Sequence, residues 1–230
     1  MLEIIYQDDY LVAINKPHGL LVHRSSIAAD AQEFALQMVR DQIGKTVYPV
    51  HRLDRKTAGI LVFALNSRVA AKLKTTFEDA ATQKTYLAIV RGYFPDSIEV
   101  DYALTNDRGK TQEALTIFKT LNRSELPIPL GKFNTSRYSL IEAYPRTGRM
   151  HQIRKHLNHL RHPIIGDRPH GCNKQNKLFK ERWNMNTMLL HAKQLAFTHP
   201  VSKKPLVLKA PLFKTFKEMI KTLELEARNF

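Results

Sequence analysis

The sequence predicts an α+β protein built on a mixed, mostly antiparallel sheet flanked by helices. Short runs of alternating or wholly apolar residues recur from Ile4-Ile5-Tyr6 to Leu206-Val207-Leu208, and such runs are strand signals. Apolar residues at helical spacing are confined to a few stretches, and strands and helices never alternate in the strict rhythm of a doubly wound parallel sheet. The 230 residues hold no internal repeat and no low-complexity linker, so one domain over residues 1–230 is the expectation.

The elements follow in order. Ile4-Ile5-Tyr6 and Leu11-Val12-Ala13-Ile14-Asn15 read as strands joined by a turn at Gln7-Asp8-Asp9. Lys16-Pro17-His18-Gly19 is a tight turn, with Pro17 fixing one dihedral and Gly19 able to take positive φ. Leu20 to His23 is expected to return as a strand, and Ala29 to Ile43 to form a helix stopped by Gly44. Val47 to Val50 and Ile60 to Ala64 are apolar runs on either side of a charged loop, followed by a helix from Ser67 to about Phe77 with Ser67 as N-cap. Lys84 to Gly92 is a strand with Thr85, Leu87 and Ile89 on one face and Tyr86, Ala88 and Val90 on the other. Ala114–Leu121 and Arg137–Ala143 are further strands, and Asn122–Asn134, with two prolines, is an exposed loop. Thr147 caps a helix whose stripe is Met150, Ile153, Leu157 and Leu160, with Arg154 at the stripe's margin. Asn173–Asn186 is polar and basic and reads as a loop. Met188–Ala192, Leu195–His199 and Leu206–Leu208 read as strands, and a terminal helix starts at Pro211.

Charge narrows the function. Lys and Arg number 36 against 21 acidic residues, a formal net charge of +15, which points to a polyanionic partner. No apolar run approaches the roughly 18 residues that cross a bilayer, and the first residues lack a signal-peptide core. One cysteine, Cys172, excludes an internal disulfide and fits a reducing cytoplasm. No phosphate-binding glycine loop and no Gly-x-Ser-x-Gly elbow is present. Ten histidines invite a metal reading, but His151, His156, His159 and His162 lack metal-ligand spacing. No metal and no cofactor is expected.

The densest polar stretch is His51-Arg52-Leu53-Asp54-Arg55, closed by Thr57-Ala58-Gly59 between two buried-strand signals. A scaffold presents reactive groups on such a loop. A carboxylate among cations suits a nucleophile or charge stabiliser better than a general acid; a surface ion pair is the plainer alternative. Taken singly, Tyr86 is strand filler, Leu190 is core, and Arg154 is a helix arginine with a packed stem. Lys16, Arg24, Arg149, Lys155, Arg161, Arg168, Lys174 and Lys177 are either scattered solvated charge or a phosphate-contacting rim.

Together these segments resemble the pseudouridine synthases of the ribosomal large-subunit synthase A type. The Asp54 loop is similar to that family's signature. Asp9 to Pro17 with Gly19 is similar to its N-terminal motif, Lys84 to Val90 with Gly92 to its tyrosine motif, and Thr147 to Arg154 with Gly166-Asp167 to its arginine motif. Leu189-Leu190-His191-Ala192 resembles a further segment. Ala58 stands where the family has serine, which removes one hydroxyl. His23-Arg24-Ser25, Val39 to Gly44 and Leu160 to Asp167 resemble the branch that acts on tRNA.

The resemblance implies a pseudouridine synthase fold with a central catalytic cleft, no S4 domain, and isomerisation of a uridine in structured RNA. It implies a tRNA uridine at roughly position 65, in the T stem, flipped from its stack. Asp54 would be the nucleophile, acting at C1′, at C6 or through a glycal. Tyr86 would stack on the uracil, Arg154 would pair with Asp54, Arg52 would fill the vacated space and Leu190 would pack against the base. His51, Lys16 and Arg149 complete the expected substrate-binding set. A cytoplasmic monomer with no membrane partner is expected. The alternatives are a synthase acting on ribosomal RNA, a basic RNA-binding module without chemistry, or, disfavoured by the lack of a carboxylate cluster, a metal-dependent nuclease.

Overall fold

In chain order the elements are β1 (Glu3–Gln7), β2 (Leu11–Lys16), α1 (Ala35–Ile43), β3 (Tyr48–Pro49), β4 (Ala58–Ala64) and α2 (Ser67–Glu78). Then come β5 (Gln83–Arg91), β6 (Ser97–Asp101), β7 (Leu104–Thr105), β8 (Thr111–Gln112), β9 (Leu115–Leu126) and β10 (Ser136–Pro145). The last are α3 (Gln152–His159), α4 (Asn173–Trp183), β11 (Leu190–Thr198), β12 (Pro205–Lys209) and α5 (Lys214–Thr222). The structure, a computed structural model, describes residues 1–23, 33–79 and 81–226. Two compact units divide the chain, one of Met1–Lys84 with Ala192–Pro211 and one of Thr85–His191 with Leu212–Phe230.

In the first unit β1, β2 and β4 form an antiparallel run, with Leu11 opposite Ala64 and Lys16 opposite Gly59. β11 pairs antiparallel with β12, from Gln194–Lys209 to Thr198–Pro205. One face of these strands and the apolar side of α2 bury a common cluster that includes Leu11, Ile60, Val62, Leu73, Phe77, Leu195 and Phe197. Asp8 sets the β1–β2 turn by accepting from the amides of Tyr10 and Leu11 at 2.7 and 2.9 Å.

The second unit carries β5, β10, β9 and β6 in that order, all antiparallel. The alternation read in β5 is observed: Leu87 and Ile89 enter one buried cluster, and Ala88 and Val90 enter the other with Tyr86 packed against it. α5 supplies Phe216, Met219 and Leu223 to the first of these clusters, and α3 supplies Ile153 and Leu157 to the second. Strong alternation forces this division, because successive side chains leave opposite faces of a pleated strand.

Several sequence expectations are corrected. Leu20–His23 forms no strand; Leu21 makes an isolated bridge to Phe34, and the carbonyls of Leu21 and Val22 accept the first amides of α1. α1 begins at Ala35, so Glu33 and Phe34 of the predicted helix lie outside it, with Phe34 extended at the N-cap; residues 29–32 of that prediction lie outside the described residues, as do Arg24 and Ser25. α2 is capped by Asn66, whose side chain accepts from Val69, rather than by Ser67. β9 runs on to Leu126 into the stretch expected to be a loop. α3 starts five residues after Thr147, whose hydroxyl binds the Gln152 side chain instead of capping the helix.

The basic stretch 173–186 is mostly helix. Gln175 and Phe179 are buried on one face of α4 and Trp183 packs half-buried against Phe179. The two strands expected between Met188 and His199 are one, β11; Lys193 and Gln194 interrupt its apolar run but stay in the ladder. α5 starts at Lys214, three residues after the proline. The short β6, β7 and β8 went unpredicted.

Candidate active site

In the first unit the Asp54 loop is tied to the Lys16–Gly19 turn. Gly19 adopts φ +88, and its amide donates to the Arg55 oxygen at 2.9 Å while Arg55 Nε donates back to the Gly19 oxygen at 3.1 Å. Lys16 is fully buried, and its three ammonium hydrogens meet three main-chain oxygens: Pro17 at 3.0 Å, Leu20 at 2.8 Å and Arg55 at 3.2 Å. Burial pushes its pKa down to about 7, and the Asp54 carboxylate nearby pulls it back up. Lys16 is therefore an internal brace of the loop and takes no place on a phosphate-contacting rim, which is a correction.

The loop's other end is closed by the Thr57 amide donating to the main-chain oxygen of Asp54 at 3.0 Å. Leu53 is buried, while Arg52 and Arg55 are exposed and Asp54 is half-exposed. Gly59 adopts φ +108, and a Cβ there would overlap the main-chain oxygen of Ala192. The motif's glycine thus lets β4 run against β11 where a side chain has no room.

His51 is tied into the scaffold of the loop. Its Nε2 accepts the Val62 amide at 2.9 Å and its ring stands edge-on to Phe77, 5.2 Å between centroids. Burial pushes its pKa down to about 3, with Lys84 adding to the effect, so the ring is neutral and accepts. It stitches the loop to β4.

In the second unit Tyr86 is half-buried on β5, opposite Ala143 of β10, and packs against the cluster that holds Leu190 at 3% exposure. Arg154 on α3 is 4% exposed. Its Nε and Nη2 donate to the two oxygens of Asp167 at 2.7 and 2.8 Å, a fully buried bidentate pair. Sequence reasoning gave Arg154 a single partner, Asp54, and missed Asp167. A usable signal was there, since Asp167 is a carboxylate directly after the apolar Ile164-Ile165-Gly166 and buried carboxylates are nearly always paired.

Gln152, also missed, holds the turn before α3. Its Oε1 accepts the Arg149 amide at 3.0 Å and the Thr147 hydroxyl, and its Nε2 donates to the Leu115 oxygen and Thr116 hydroxyl at 3.0 and 2.9 Å. Arg149 donates from Nε to the Glu113 oxygen at 2.9 Å. The histidines around α3 have organic partners: His151 meets His170 at 3.0 Å, His156 meets Thr116 and the Tyr102 oxygen, His159 stacks on Tyr102, and His162 meets the Arg91 oxygen. Among the described residues no three His, Cys, Asp or Glu side chains gather as metal ligands.

Residues 10–159 match the family model described as RNA pseudouridylate synthase. The tRNA pseudouridine synthase C of Vibrio cholerae is 46% identical over 231 residues, covering 96% of this chain and 95% of that protein. That of Vibrio parahaemolyticus is 47% identical over 234 residues, covering 97% and 95%. Among solved structures, Human RNA Pseudouridylate Synthase Domain Containing 4 superposes with a TM-score of 0.73 at 26% identity, covering 96% of this chain and 93% of that one. The braced Asp54 loop, the strand carrying Tyr86 and all of α3 lie inside the matched span. With nearly full-length relatives on either side of that match, the chain belongs to the RNA pseudouridylate synthase family and is an isomerase that converts uridine to pseudouridine in RNA.

Proposed function

We propose that the RNA is tRNA and that the target is a uridine at roughly position 65 in the T stem, flipped from its stack at a cost of a few kcal/mol. The tRNA assignment follows the names of the relatives. The net charge of +15 supplies affinity for the phosphate backbone. No described helix is long and apolar enough to cross a membrane, which accords with a cytoplasmic enzyme, acting as a monomer on one tRNA at a time.

Isomerisation breaks C1′–N1, turns the uracil and joins C5 to C1′; the C5 proton leaves and N1 regains one. Nothing is oxidised or added, so protein groups suffice. Asp54 supplies the reacting carboxylate, as a nucleophile at C1′ or C6 or as the base that takes the 2′ proton to form a glycal. Tyr86 stacks on the uracil and assists loss of the C5 proton. Arg154 pairs with Asp54 and orients it. Arg52 fills the space the base leaves, Leu190 packs on the base, and Arg149 meets phosphate. Lys16 and His51 act one step back, through the shape of the loop.

One observation carries this reading: the loop is pinned on both sides of Asp54, by Lys16 and Gly19 at Arg55 and by His51 at Val62. Pinning of that kind fixes a nucleophile's position. The test is carbodiimide-stop mapping of tRNA and ribosomal RNA transcripts treated with wild-type protein and with Asp54→Ala. A new stop in the T stem for wild type alone, at near-equal RNA affinity, is the expected result. Stops confined to ribosomal RNA would move the target, and no stop in any RNA would leave a binding protein.

A further inference from the structure

Asp167 and Asn176 form a chain of contacts ending on Arg154, all within the second unit. The Asp167 side chain is wholly buried and accepts from Nε and Nη2 of Arg154. A side-on fork of this kind fixes the guanidinium plane and turns its Nη1 edge the opposite way. Asp167 is itself held. Its Oδ1 accepts the His170 amide at 3.3 Å, its own amide donates to the Ile164 oxygen at 3.3 Å, and its main-chain oxygen accepts Asn176 Nδ2 at 2.6 Å. Asn176, on α4, also accepts the Gly166 amide at 2.9 Å. The one side chain thus grips the backbone on both sides of the Gly166–Asp167 bond. Gly166 adopts φ +81, and a Cβ there would overlap the Thr187 oxygen, so this turn has one permitted shape.

A buried ion pair is a poor stability device, since apolar residues of similar volume commonly serve as well. A guanidinium kept charged at 4% exposure needs another reason. We propose that Asp167 and Asn176 are positioning residues for the isomerisation: Asp167 fixes the direction of the Arg154 guanidinium, and Asn176 fixes Asp167. This rests on the reading of Arg154 as the partner of the nucleophile. It also gives α4 a role in the chemistry.

The test is single-turnover pseudouridine formation on a tRNA transcript, with RNA affinity and thermal melting measured alongside. Arg154→Ala tests the underlying reading: a wild-type rate in that variant would remove Arg154 from the chemistry and this proposal with it. Given a slow Arg154→Ala, the isosteric Asp167→Asn is expected to be about 100-fold slower than wild type, the scale of a misplaced catalytic group, with affinity within about threefold. Guanidinium ion below denaturing concentration should partly restore Arg154→Ala but not the double variant Arg154→Ala/Asp167→Asn, because the neutral amide no longer seats the small cation. Equal rescue in both, or a wild-type rate in Asp167→Asn, overturns positioning and leaves catalysis by Arg154 intact. If Asp167→Asn does not fold, Asn176→Ala decides: about tenfold slower at unchanged affinity supports the chain of contacts, and a wild-type rate overturns it.

Discussion

Lys16 Nζ donates to the main-chain oxygen of Arg55, 3.2 Å away and 39 residues along the chain. With the Pro17 and Leu20 oxygens it completes a three-acceptor cage that leaves the ammonium no exposure. The N-terminal motif and the signature loop are one object built from two sequence segments, which is why a lysine that reads as surface charge lies inside.

Lys16→Met should therefore act through the loop. It removes three donors and strands three carbonyls, each orphan costing about 1–3 kcal/mol. A net loss near 3 kcal/mol in urea unfolding is expected, with a fall in turnover at intact RNA affinity. The pH dependence has a sign. Between about 7 in the fold and 10.5 in the unfolded chain the unfolded state binds more protons, so this group's contribution rises with pH through that window. Lys16→Met should flatten the rise.

Gly59→Ala should be among the most damaging small changes in the first unit, because its Cβ overlaps the Ala192 oxygen at φ +108. A loss above about 3 kcal/mol, or insoluble protein, is expected. Gly109→Ala is the control: φ is +76 with nothing within 4 Å, and only the backbone penalty of about 1 kcal/mol remains. Melting curves of the pair separate clash from strain.

His51 gives an acid limb. Its pKa is about 3 in the fold against 6.5 unfolded, so stability present above pH 6.5 is lost progressively as pH falls from 6.5 towards 3. His51→Gln keeps an acceptor for the Val62 amide but does not titrate. Melting temperatures between pH 7.5 and 4.5 should fall less steeply for the variant.

Tyr86→Phe keeps the ring and loses the phenol. RNA affinity should stay near wild type while the single-turnover rate drops about 100-fold, the lower range for losing a proton-transfer group. Tyr86→Ala should also weaken binding, because the stacking surface goes.

RNA binding should weaken steeply with salt. Arg149→Gln removes the cation assigned to phosphate and should reduce the slope of log affinity against log salt by about 0.7–0.9, measured by titration at several salt concentrations.

What the sequence disclosed depends on where each signal was stored. β5 was legible because Thr85, Leu87 and Ile89 alternate strictly with Tyr86, Ala88 and Val90, and alternation is a local property. α4 was hidden because its buried face is only Gln175 and Phe179, with Leu178 and Trp183 half-covered, amid lysines and asparagines; the spacing 175, 179, 183 was the overlooked clue. The α2 cap slipped by one because Asn66 and Ser67 both cap well. Asp54, Tyr86 and Arg154 could be picked out as motif residues. That Asp167 is a buried, paired carboxylate was legible from the apolar run before it, but that its partner is Arg154 was not, since it lies 13 residues on, past the end of α3, and only the fold closes that distance. Lys16 was misplaced for the same reason: its charge was read without the carbonyls that absorb it.

Each compact unit is also split along the chain. The first unit's core takes Leu195, Phe197 and Leu208 from a segment more than 100 residues after Lys84, and the second takes Phe216, Met219 and Leu223 from the C-terminal helix. During translation, then, neither core closes until almost the whole polypeptide has left the ribosome. Contacts of such long range slow folding and leave apolar strands uncovered meanwhile. Truncation before Ala192 removes part of both cores at once, so a nascent fragment that long should depend on chaperones to stay out of aggregates.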